Sequence, residues 1–463
     1  MSGFDTAARA FATGSTMGMA TRIAAATPAD RDRYLDFLRV FSILLVVLGH
    51  WTVRVVTETE GGLETGYLLS EAPAWQWATL VWQVMPVFFL VGGIVNAASW
   101  RRARARGERP ADWVRQRARR LLYPIVPLLT VLIPAAALIE ARIGKEAMLF
   151  DFGMAALPLW FLGAYMAVTA LTPVTLRLHE RMGPMRLIVP CSALAVVVDV
   201  LRFTVLAEPR IGTQPAVGGI NFVLVWIAMH QLGYLWADRR LPASHQGQWL
   251  LAAGGAACLV VMIGSDLYPL TMVPVEDALD ANNAAPPSAA LIALGLVQLG
   301  LALRLRQPVS RLLERPRWWA PVAVVGGYLM TVYLWHQPVA LALSNLVYPL
   351  GLMPLTEEID PTWWALRPLW WLYASATLAV VVVAVHRFEQ PADPAPVRFA
   401  PRTAIALCTL GVGLVVTGIA GLIMTRLTQP ELLLSLPWGP MLALAAGLIA
   451  LGVISERSTS MPR

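Results

Sequence analysis

Charge and cysteine are both scarce in this chain. Only 14% of its 463 residues are charged against 57% hydrophobic, and the mean hydropathy is +0.60. So little charge cannot clothe a water-exposed surface, which excludes an ordinary soluble protein. The three cysteines, Cys191, Cys258 and Cys408, fall singly in apolar surroundings, without the paired spacing of a disulfide framework or a zinc site. A phosphate loop of Walker type, an HExxH metal motif and a GxSxG nucleophile elbow are also missing, so neither a metal site nor a tightly bound cofactor is expected. The first thirty residues lack the apolar core and cleavage pattern of a signal peptide; residues 1–33 read as a disordered cytosolic tail. No internal repeat divides the chain into two similar halves, as one does in the commonest twelve-helix transporters.

What the sequence has instead is long apolar runs. About twenty apolar residues span a bilayer, and twelve segments qualify: 35–56, 75–99, 121–139, 154–176, 187–206, 217–237, 249–264, 288–303, 318–346, 363–386, 403–424 and 438–454. The expected fold is an all-α membrane protein, a polytopic helical bundle. A ten-helix core occupies residues 34–391, and residues 392–463 add one or two C-terminal transmembrane helices and a short cytosolic tail, set off by the Pro-rich stretch Gln390–Pro401. A net charge of +7 would suggest nucleic acid in a soluble protein; here its distribution matters more. If the spans alternate, the basic residues gather on one side, most densely in Arg101–Arg120 with its nine arginines. The positive-inside rule then places both termini in the cytosol and the protein in the inner membrane, its basic segment beside anionic lipid, with no nucleic-acid partner.

Charged residues inside a span are costly and normally line a protein interior or a wet cavity. The first span carries Asp36, Arg39, His50 and Arg54. At about 100° per residue Arg39 and His50 differ by about 20°, with Asp36 three residues before the first and Arg54 four after the second, so all four are expected on one helix face. About 16 Å of helix separates Arg39 from His50, which makes a charge-lined passage from the membrane boundary towards its middle. Two other readings use the same residues: an interfacial Asp36–Arg39 pair beside a packed histidine, or a secondary transporter whose stripe relays protons.

The segment RYLDFLRVFSILLVVLGH, residues 33–50, resembles the opening of the acyltransferase-3 family of integral membrane O-acyltransferases, whose Arg and His stand where Arg39 and His50 stand here. FFLVGG at Phe88–Gly93 is similar to the family's FFxxSG turn, with Gly92 where most members have Ser. RARRLLYP at Arg117–Pro124 resembles its basic RxxR element, and LWFL at Leu159–Leu162, YLWHQP at Tyr333–Pro338 and FEQP at Phe388–Pro391 follow in family order. The resemblance implies transfer of an acyl group, acetyl by default, from acyl-CoA as co-substrate to a hydroxyl of a carbohydrate, glycolipid or other lipid-linked or glycosylated acceptor.

Such chemistry needs a base for the hydroxyl proton and a hold on the donor. Neutral histidine titrates near neutrality, which makes His50 the candidate base, with Arg39 and Asp36 beside it on the stripe. Coenzyme A carries several phosphate charges that guanidinium groups bind well. Arg117 and Arg120, three apart on what should be the opening turn of the third span, are the candidate donor-binding pair. His336 in the ninth span and Asp199 and Arg202 in the fifth approach the depth of His50, so they are acceptor-site candidates; Asp199 and Arg202 could equally be a simple ion pair. Trp160 and Trp335 could stack on a sugar or on the pantetheine arm, or belong to the interface belts that eighteen tryptophans supply. His179 and His245 fall in expected loops and His230 and His386 near span ends, where solvation or capping accounts for them.

Overall fold

The computed structural model describes residues 18–144, 148–205, 210–211, 214–275, 282–390, 399–428 and 436–454. Residues 1–17, most of the Pro-rich stretch and residues 455–463, expected as tail, linker and tail, lie outside them. Among the described residues ten helices are long and apolar enough to cross a membrane. Strand among these residues is confined to short hairpins, because in hydrocarbon a helix satisfies every backbone group within its own segment. The chain is an all-α polytopic membrane protein.

In chain order the helices are α1 Met19–Ala25, α2 Arg33–Thr52, α3 Met85–Ala105, α4 Pro110–Leu122, α5 Ile125–Arg142, α6 Leu159–Met182, α7 Met185–Val200, α8 Asn221–Ala237 and α9 His245–Gly264. They continue as α10 Ala289–Leu313, α11 Pro316–Gly327, α12 Leu329–Val347, α13 Pro361–Val385, α14 Pro401–Met424 and α15 Trp438–Ala450. The strands β1 Arg54–Thr59 and β2 Gly62–Tyr67 form a hairpin after α2.

Five expectations are corrected. The first span ends at Thr52: the β-branched run Val55, Val56, Thr57 and the Gly61–Gly62 turn, with Gly62 at φ +112°, favour a hairpin. Arg54 therefore leaves the stripe for β1. The arginines at 117 and 120 do not open the third span; they lie on the separate amphipathic helix α4, which Tyr123 and Pro124 divide from α5. The expected ninth span breaks at Tyr328, which leaves helical geometry between α11 and α12. The twelfth is a helix of only 13 residues. Part of the expected N-terminal tail is ordered, since Ile23 of α1 packs with Leu313, Trp319 and Ala323.

The chain divides into two contact units. One comprises residues up to Val53, Tyr67–Ala97 and Leu176–Leu329; the other comprises Arg54–Gly66, Ala98–Thr175 and Met330 onward. In the first, α3 and α8 meet backbone to backbone. A Cβ at Gly93 would lie 2.4 Å from the His230 carbonyl oxygen, and one at Gly233 would lie 2.2 Å from that of Leu90. Small residues allow this approach, the usual device where lipid supplies no hydrophobic drive between helices. Phe89 then stacks on Trp226 with ring centres 4.1 Å apart. His179 and His230, expected near the surface, are buried here. His179 bonds Gln231 at 2.7 Å and Asp238 at 3.0 Å, and His230 lies 3.5 Å from Asn96.

In the second unit α14 and α15 pack on each other through Gly418 and Gly447 and are fastened to α4. Arg109 donates to the Phe399 carbonyl at 2.9 Å, Arg115 to that of Leu451 at 3.3 Å, and Arg115 covers the Phe399 ring at 4.9 Å. Cys408 donates its thiol hydrogen to the Ala111 carbonyl at 3.5 Å.

Candidate active site

Helix α2 starts where Asp32 caps it, accepting from the amides of Tyr34 and Leu35. Its first turn is held firmly within its unit. Tyr34 donates to the Ala302 carbonyl at 2.6 Å, Arg33 to that of Leu313 at 2.8 Å, and Arg306 pairs with Asp32 at 2.9 Å. Asp36 accepts from Arg31 at 2.5 Å and stands 3.8 Å from Arg39. Arg31 thus takes the closer contact, and the Arg39 side chain is 40% exposed.

The exposed apolar residues of α2 are Phe41 and Leu44. Arg39 and His50 lie between about 120° and 180° from both around the helix axis, so these two polar side chains leave the helix on the side away from its apolar exposed face. His50 is half-buried in the last turn of the helix, and the Trp82 indole lies against its neighbour Gly49, where a Cβ would come within 2.7 Å. The structure thus puts Asp36, Arg39 and His50 on one side of one helix and removes Arg54.

In the second unit Arg117 and Arg120 share a face of α4, as their spacing requires. Arg117 lies over the Trp113 ring at 5.5 Å, and Trp113 is itself buried and donates to Ser99 at 3.1 Å. Arg120 is exposed. The pair is a rigid guanidinium on an aromatic platform beside a solvated one, an arrangement suited to phosphate.

The acceptor candidates separate. Trp160 is half-buried in the first turn of α6. That turn is joined to α12 by Tyr333, whose hydroxyl donates to the Pro158 carbonyl at 2.7 Å and whose ring meets Phe161 at 5.3 Å. His336, one turn further along α12, is fully buried, its Nδ1 donating to the Tyr333 carbonyl at 2.5 Å; in the neutral ring Nε2 is then the acceptor. Because α12 begins at Leu329, His336 is the eighth residue of its own helix and not a position along one continuous ninth span. Trp335 is buried, not presented to a ligand, and its indole N–H donates to Glu389 at 3.0 Å.

Asp199 and Arg202 form the simpler of the two expected arrangements. They pair at 3.0 Å with both side chains fully buried. The carboxylate also accepts from Asn221, Tyr268 and the Ala289 amide, while Arg202 donates to the Pro286 and Asn282 carbonyls. Both carboxylate oxygens are occupied by protein donors, which leaves this pair a tie between α7, α8 and α10.

Sequence reasoning missed Arg31 and Glu389 as organising groups. Arg31 lay one residue before the capping Asp32, in a basic RDR run that could have flagged it. Glu389 is buried, accepts from the Thr331 hydroxyl and from Trp335, and burial raises its carboxyl above the ordinary range, against those hydrogen bonds. His386 joins the same group through Thr331 at 3.2 Å. Among the described residues no cluster of three or more His, Cys, Asp or Glu is placed to hold a metal ion.

Comparison with known proteins adds the remaining finding. Neither curated proteins nor solved structures give a match. A family model described as an acyltransferase domain matches residues 32–386, from the cap of α2 to the end of α13, leaving α14 and α15 outside it. The chain belongs to the acyltransferase-3 family and is a membrane acyltransferase.

Proposed function

We propose that the protein is an acyl-CoA-dependent O-acyltransferase of the inner membrane, both termini cytosolic, that acylates a hydroxyl of a carbohydrate, glycolipid or glycosylated metabolite, by default with acetyl. The observation that carries this reading is the placement of Arg39 and His50 on the side of α2 away from its exposed Phe41 and Leu44, in a chain of an acyltransferase family. His50 takes the acceptor's hydroxyl proton as the oxygen attacks the thioester carbonyl. The tetrahedral intermediate collapses with cleavage of the C–S bond, and the imidazolium returns the proton to the departing thiolate. The thioester is already activated, so the protein supplies positioning and proton transfer. Arg39, held near Asp36, guards the way to His50, and Arg117 and Arg120 hold the phosphates of coenzyme A. Trp160 and His336 support the acceptor.

The test is acyl transfer by the purified protein in lipid nanodiscs with labelled acetyl-CoA and cell-envelope glycolipid. His50→Ala should insert and melt as the parent does while transfer falls by about 10² to 10⁴. Undiminished transfer by folded His50→Ala removes the imidazole from the mechanism. Stoichiometric protein-bound acyl without acceptor would replace direct attack by an acyl-enzyme route.

A further inference from the structure

Two arginines are buried in the described part of the chain, and they are solved differently. Arg202 meets the Asp199 carboxylate. Arg367, six residues after the proline that opens α13, meets no acid among the described residues. Its guanidinium lies 4.0 Å over the Trp363 ring and hydrogen-bonds the Tyr348 hydroxyl. Its Nε and Nη1 have no acceptor, and the indole Nε1 of Trp363 has none either, although all three atoms are buried. Asp360, the nearest acid in sequence, directs its carboxylate back to the Trp363 amide at 2.7 Å, closing the N-terminus of α13.

Among the described residues, then, one cation and three buried N–H donor atoms stand together with no anion beside them. Ring faces soften the charge without neutralising it, and a buried water could answer a donor but not the charge. A phosphate does both, and guanidinium is the side chain best matched to it. The depth identifies the source. Arg367 lies about 9 Å along α13 from its first residue, among Trp363, Trp364, Trp370 and Trp371, the residue type that marks the headgroup level of a bilayer. Arg367 and Trp363 are almost wholly covered, which suits a ligand retained in the protein and not one exchanged with water.

We propose that Arg367, Trp363 and Tyr348 form a binding site for the phosphate of a membrane lipid. The site is independent of the roles given above to His50, Arg117 and Arg120. Native mass spectrometry of the full-length protein, titrated in detergent, tests it with four probes: phosphatidylglycerol, a polyprenyl monophosphate, uncharged diacylglycerol and inorganic phosphate. At least one phosphate lipid should bind about ten-fold or more tighter than diacylglycerol, with that difference lost in Arg367→Gln and reduced in Trp363→Phe. Preference for the polyprenyl phosphate names a lipid-linked sugar carrier; preference for phosphatidylglycerol names a bilayer lipid. Equal lipid binding by the parent and folded Arg367→Gln, no preference over diacylglycerol, or binding of inorganic phosphate without either lipid each overturns the proposal. Should Arg367→Gln not fold, Tyr348→Phe and Trp363→Phe, which keep the arginine's charge and an aromatic ring at each position, carry the same comparison: both must weaken the phosphate lipid selectively, and unchanged binding in both refutes the site.

Discussion

The guanidiniums of Arg117 and Arg120 differ in how much freedom they retain, and that difference can be measured. Arg117 rests on the buried Trp113 ring, whereas Arg120 is exposed, so on the proposed donor role replacing Arg117 would remove a guanidinium stacked on a ring and replacing Arg120 a solvated one. The double replacement Arg117→Gln, Arg120→Gln should raise the KM for acyl-CoA by about ten-fold or more with little change in acceptor KM, since each charge-assisted hydrogen bond is worth roughly 1.5–3 kcal/mol. An unchanged donor KM in folded protein would take the phosphates elsewhere. Glu389 makes a prediction in pH. Burial holds its carboxyl above the ordinary range, so the folded state keeps a proton that the unfolded chain releases. Its favourable contribution is complete below the unfolded pKa and disappears as pH rises through the raised folded one. The thermal midpoint should fall with rising pH across that window, and Glu389→Gln should remove that part of the slope; superimposable profiles for the two proteins would show that the folded carboxyl is not shifted. The spacing of Arg39 and His50 was legible in the sequence because helical periodicity is local. That Asp36 turns to Arg31, and Trp335 to Glu389 fifty-four residues away, was not, because hydrogen bonds between separate segments leave no periodic trace.

Among the elements, α3 and α8 depend on the absence of side chains at their crossing. Gly93→Ala would put a methyl group 2.4 Å from the His230 carbonyl oxygen, and both neighbours are backbone-bound helices that cannot yield locally. The expected cost is about 1–3 kcal/mol or more from overpacking, read as a lower thermal midpoint in detergent; a variant as stable as the parent would mean that the helices slide apart freely. The second glycine of FFLVGG is accounted for by this contact. Helix α4 was misread from sequence as the start of a span because its basic residues adjoin an apolar run. The structure separates them at Tyr123 and Pro124, where proline breaks the helix's own hydrogen-bond ladder. The break at Tyr328 between α11 and α12 had a weaker signal: the pair Gly326–Gly327 precedes it, but glycine is common inside membrane helices.

At the scale of the whole molecule, orientation is the property most open to direct test. With the three native cysteines replaced by serine, Gly61→Cys in the hairpin after α2 should react with an impermeant maleimide in intact cells, and Arg106→Cys should react only after permeabilisation. Both positions are exposed, and reversal of the pattern would invert the topology that the basic residues imply. Family membership decides for an acyltransferase over a proton-coupled exporter; the polar residues of α2 taken alone suit either. By itself the sequence determined that the chain lives in lipid and how its first helix segregates polar from apolar residues, since hydropathy and a 3.6-residue period depend on neighbours along the chain. Only the tertiary structure decided which buried charges are answered. Asp199 is held by an amide ninety residues away, at Ala289, while Arg367 is left without an acid. Whether a group deep in a membrane finds a partner is settled by segments that meet in space, and no local pattern encodes that meeting.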